Sequence, residues 1–91
     1  MDYDLSELLK NEYKVYVTVI EKREADGRLI PLMLFWEDGE KYRIDEVLDV
    51  RRAASLKAGG VGWRYEVRIG EKITYMWLEE TRWFCERRDA G

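Results

Sequence analysis

The sequence predicts a mostly β domain, a meander of about six short strands. Three observations carry that reading. Apolar and β-branched residues alternate along 13–20 and again along 63–69, the period of a strand with one buried face. Two Asp-Gly pairs, Asp26-Gly27 and Asp38-Gly39, each separate two such runs. Gly in that place supplies the positive φ that a hairpin turn needs. Four Trp and six Tyr stand among only 91 residues, so a short chain still has enough apolar area to bury a small core.

Taken in order, residues 1–12 read as a short N-terminal helix or an acidic tail. Leu5, Leu8 and Leu9 fall at helical spacing behind Asp4, a capping residue type. Residues 13–86 read as a single β-barrel domain, and 87–91 as a polar tail. Val15, Val17 and Val19 share one face of the first strand, with Lys14, Tyr16, Thr18 and Ile20 on the other. The second strand, Leu29–Trp36, is apolar on both faces, as in a central or covered strand. Pro31 within it marks a bulge or an unpaired edge.

The third strand starts near Lys41 and loses its alternation at Asp45 and Glu46. A bend or bulge there lets one long strand serve both sides of a barrel. A helix over 45–56 is the competing reading. Ala58-Gly59-Gly60-Val61-Gly62 reads as a flexible loop. Trp63, Tyr65, Val67 and Ile69 then point one way, and Arg64, Glu66 and Arg68 the other. Gly70-Glu71 suits a type II′ turn, with Gly at its first central position. Ile73, Tyr75 and Trp77 mark the fifth strand, and Trp83–Cys85 a short last one. The predicted core is Val15, Val17, Val19, Leu32, Leu34, Tyr42, Ile44, Tyr65, Val67, Ile69, Tyr75 and Trp77. The architecture that fits is a small SH3-like barrel or barrel-like meander, because closing the sheet hides the edges of a strand as apolar as Leu29–Trp36.

Composition narrows the chemistry. The chain has no His, which removes the commonest general base and a common zinc ligand. Cys85 is the single Cys, so no intrachain disulfide forms, and it reads as a small buried hydrophobe. The carboxylate pairs Asp45-Glu46 and Glu79-Glu80 are sequence neighbours, and neighbours on a strand face opposite ways. The Gly59–Gly62 segment lacks the Lys-Ser/Thr ending of a phosphate-binding loop. The expectation is a protein that is not an enzyme and holds no metal or cofactor. The longest apolar run, Leu29–Trp36, is far short of the roughly 20 residues of a spanning helix. The absence of disulfides fits the cytoplasm.

Binding remains. Net charge is −3, but Arg51, Arg52, Lys57, Arg64 and Arg68 face Glu66 alone over 51–68. That basic segment, with Trp63 and Tyr65 in it, has the ingredients of phosphate contact and base stacking. The simpler reading makes the arginines a solvated strand face and the aromatic rings core. Protein contact is the leading expectation, since Trp, Tyr and Arg dominate binding hot spots and four Trp strain the capacity of a small core. Self-association is compatible with the same features, and nucleic acid is the alternative partner. The candidate contact residues are Arg51, Arg52, Lys57, Trp63 and Arg64.

Pro31, Phe35, Trp36, Gly39, Tyr42, Ile44, Val47, Leu48 and Arg51 form a pattern that resembles a small family of uncharacterised bacterial all-β proteins. The block Trp63-Arg64-Tyr65-Glu66-Val67 is similar to the family's following strand. The resemblance spans roughly Ile30 to Trp83 and departs at Ala53 and Ala54, where bulkier aromatic residues are expected. Some members look to be encoded near Y-family translesion DNA polymerases, so the resemblance implies an accessory role in DNA repair. It carries no catalytic residue.

Overall fold

The computed structural model describes residues 13–55 and 59–87. The predicted N-terminal helix or tail, Lys57, and the tail beyond Arg87 lie outside the described residues. Seven strands follow one another: β1 (Lys14–Arg23), β2 (Leu29–Phe35), β3 (Lys41–Arg43), β4 (Glu46–Ala54), β5 (Val61–Ile69), β6 (Lys72–Glu79) and β7 (Arg82–Glu86). They form one antiparallel sheet in the order β3-β2-β1-β7-β6-β5-β4. Among the described residues no helix is long and apolar enough to cross a membrane.

The two Asp-Gly turns share one design. Glu24 pairs with Arg28, and Trp36 with Glu40, around three-residue loops. Gly27 and Gly39 take the positive φ, +95° and +89°. Asp26 and Asp38 each accept a hydrogen bond from the backbone N–H two residues on, at 3.1 and 2.9 Å. Gly70, at φ +61°, opens the two-residue turn that sets Ile69 opposite Lys72.

The break at Asp45 decides the architecture. β3 and β4 are the two ends of the sheet, yet only Ile44 and Asp45 separate them in sequence. Ile44 N–H donates to Leu32 O at 2.9 Å, and Asp45 N–H donates to Arg68 O at 2.9 Å. The bend therefore ties β2 to β5 and curls the sheet into a half-barrel. The Asp45 carboxylate locks it, accepting from Gly70 N–H at 2.7 Å and from Arg43 at 3.1 Å. The third predicted strand is thus two strands meeting at a bend, which makes seven strands of the expected six. Strand, not helix, occupies 46–54.

The main core lies on the inner face: Leu34, Ile44, Tyr65, Val67, Met76, Leu78, Trp83 and Cys85. Val17, Val19 and Ile69 pack against it only partly buried. Trp83 Nε1–H donates to Glu21 at 2.6 Å, and its ring meets Tyr65 edge-on at 4.8 Å. A second cluster, Trp77 and Phe84 with Tyr13 against them, sits on the outer face. The two rings stack at 5.4 Å, 5° from parallel.

Three predicted core residues are exposed instead: Leu32, Tyr42 and Tyr75. Leu32 is the extra residue of a bulge, since Ile20 pairs with Met33 and Glu21 with Pro31. Pro31 does mark that bulge. Tyr42 lies on β3, a three-residue edge. Tyr75 points outward because β6 is apolar on both faces, so alternation alone does not say which set faces in. Met76 and Leu78 take the inner face, and Trp77 is buried in the outer cluster.

Candidate functional site

Four of the five candidate contact residues meet on the β4–β5 hairpin. Arg51 pairs with Arg64 and Arg52 with Trp63. Strand alternation then divides them: Arg52 and Trp63 point to the inner face, Arg51 and Arg64 to the outer one. The basic segment does not converge on one surface.

Two of its cations, Arg51 and Arg68, are also met by carboxylates within the chain. Arg51 Nε donates to Asp49 at 2.7 Å, and that hydrogen bond holds the Asp49 carboxyl below its usual range and raises Arg51. Arg68 lies 3.8 Å from Asp45 and 3.6 Å from Glu46. The Arg64 guanidinium stands 4.5 Å from the Tyr75 ring, with its Nε buried and unbonded. Arg52 stands 5.4 Å from the Trp63 ring.

Trp63 takes the predicted face, and its ring, absent from the predicted core, is open to solvent. It is 45% exposed, although Tyr65 and Val67 on the same face are buried. Val50 and Val61 beside it are exposed as well. The loop end of the β4–β5 hairpin carries the inner-face pattern past the packed core. The result is an apolar patch of Val50, Val61 and Trp63, continuous with the Tyr65–Leu78–Trp83 core and flanked by Arg52.

Two other features escaped the sequence reading. Leu34, Trp36, Tyr42, Ile69, Thr74 and Cys85 line an open cavity of about 430 Å³, with the Glu37–Arg87 ion pair at 2.8 Å on its rim. Burial pushes the Cys85 thiol up to about 12, so it is a neutral wall group rather than a nucleophile. On the outer face, Lys14 and Arg82 stack on Tyr16 at 5.0 and 3.4 Å. Tyr16 OH donates to Glu79 at 2.6 Å and Lys14 adds a second bond at 3.1 Å. These bonds, Tyr16 first, hold Glu79 below the usual glutamate range. Only cross-strand pairing brings these residues together. Among the described residues no three His, Cys, Asp or Glu side chains cluster as metal ligands would.

Comparison of the chain with protein-family models, curated proteins and solved structures gives no match.

Proposed function

We propose that this protein is a non-enzymatic binding module that engages a protein partner through the loop end of the β4–β5 hairpin, with Trp63 as anchor. The observation that carries the reading is the exposure of Trp63 on the face that elsewhere forms the core. An exposed apolar patch of this kind, rimmed by Arg52, has the composition of an interface centre. In this reading the half-barrel is SH3-like and the protein works in the cytoplasm, where Cys85 stays reduced.

Nucleic acid is the second reading, and with it the repair role that the family resemblance implies. Arg52 beside an exposed Trp63 favours it, because a stacked base uses that pair of groups. The internal pairing of Arg51 and Arg68 weighs against it, since phosphate binding draws on uncommitted cations.

One comparison decides between them. Tagged wild-type protein and Trp63→Ala are used to capture partners from extracts of the source cells, and both are titrated with labelled single- and double-stranded DNA. A protein held by the wild type and lost with folded Trp63→Ala is the expected result. Equal capture by the two refutes the Trp63 anchor. DNA binding that falls steeply with salt replaces the protein reading with the nucleic-acid one.

A further inference from the structure

The sheet has two ends, β3 and β4. β3 offers three residues, whereas β4 offers nine and, among the described residues, pairs only with β5. Ser55 N–H donates to Gly60 O at 3.0 Å, which fixes Ser55 and Gly60 as a hydrogen-bonded pair. Counting back along the antiparallel ladder, Asp49, Arg51 and Ala53 turn their backbone groups to β5. Val50, Arg52 and Ala54 turn theirs to the open edge.

The side chains along that edge carry an unusual charge arrangement. Asp49 stands directly opposite Glu66, and Arg51 directly opposite Arg64. Like charges facing each other across strands oppose pairing. Within one chain the Asp49–Arg51 contact at 2.7 Å is the only direct ion pair among these four that the structure records. A strand with an acid and a base two residues apart is complementary to itself when laid antiparallel.

We propose that a second copy of this chain pairs with the open edge of β4, antiparallel and centred on Val50. Asp49 of each copy then faces Arg51 of the other. The outer face gains two rows that run Glu66, Asp49, then the other copy's Arg51 and Arg64. Val50, exposed in one chain, meets its counterpart on the inner face. Moving the centre one residue either way sets Asp49 against Asp49 or Arg51 against Arg51, so charge selects this register. The bulge between Val47 and Asp49 bounds the ladder at its far end. This contact is made by the strand edge and shares only Val50 with the patch around Trp63, so it goes beyond the partner reading, and Trp63→Ala separates the failure of one from the failure of the other.

Sedimentation of the full chain tests it. Wild-type protein is expected to form dimers that weaken as salt is added. Asp49→Arg and Arg51→Asp each set like charges face to face twice, and each is expected to weaken self-association by about tenfold or more. Each breaks the Asp49–Arg51 pair within the chain but restores an opposite charge across the strand, the first opposite Glu66 and the second opposite Arg64, and each variant's melting temperature is measured beside its sedimentation to show that it is folded. An equal mixture of the two variants is expected to re-form dimers containing one copy of each. Trp63→Ala is expected to dimerise like the wild type. A wild type that stays monomeric at low salt and high concentration overturns the proposal. So do variants that self-associate unchanged, or a mixture that stays monomeric.

Discussion

Truncating two tryptophans on the same face separates architecture from contact. A Trp side chain buries about 150–250 Å² when fully enclosed, at about 25 cal/mol per Å². Trp83 is 4% exposed, so Trp83→Ala forfeits nearly all of that area. It also loses the bond to Glu21 and the edge contact with Tyr65. After allowance for a compact denatured state, the cost is about 4–5 kcal/mol. Trp63 is 45% exposed, so the same arithmetic gives about 2 kcal/mol for Trp63→Ala. At about 4–8 °C per kcal/mol, a gap of about 2–3 kcal/mol separates the two melting temperatures by about 8 °C or more. Urea unfolding followed by far-ultraviolet dichroism measures both losses. Equal losses, or a larger one for Trp63, refute the claim that Trp63 lies outside the core and with it the basis of the binding site.

Three further outcomes follow from the geometry. The backbone N–H of Gly70, then the Arg43 side chain, hold the Asp45 carboxyl below its ordinary 3.8; a lowered acid stabilises the fold above its unfolded value and loses that contribution as pH falls through the folded one. The melting difference between wild type and Asp45→Asn should therefore be full at neutral pH and vanish in strong acid, and a gap that widens on acidification contradicts the locked bend. A Cβ on Gly62 would stand 2.5 Å from Leu78 O, so Gly62→Ala forces β5 and β6 apart at about 1–3 kcal/mol; unchanged urea stability would show that this close approach is not tight. With its thiol buried and pushed up to about 12, Cys85 should resist a thiol reagent at mildly alkaline pH until the protein is denatured, and rapid labelling of native protein would show the cavity wall to be open.

Local chemistry was legible wherever one residue type has one use. Gly27, Gly39 and Gly70 lie in their predicted turns because only Gly takes those φ values at no steric cost. Pro31 marked its bulge for a similar reason, since it cannot donate to a ladder. The loss of alternation at Asp45 pointed to the bend. The alternation over 63–69 correctly placed Tyr65 and Val67 inside. It failed for Tyr75 because both faces of β6 are apolar, and for Leu32 because a bulge shifts the phase of every residue on one side of it.

The contact residues show the same divide. Arg51, Arg52, Trp63 and Arg64 are close in sequence, and hairpin pairing does bring them together. Alternation then sends the two pairs to opposite faces. Nothing in the basic segment's composition told that Asp49, Asp45 and Glu46 would answer its charges, or that Trp63 would sit past the end of the core.

By itself the sequence determined the β class, the turns and the place where one strand bends, because each follows from the conformational limits of residues a few positions apart. Only the tertiary structure decided which face of β6 is inside, where the core stops short of Trp63, and that among the described residues β4 is left with an open edge. Those outcomes depend on which strands become neighbours, and the ends of this sheet are set by two hydrogen bonds, from Ile44 to Leu32 and from Asp45 to Arg68, between residues far apart in the chain.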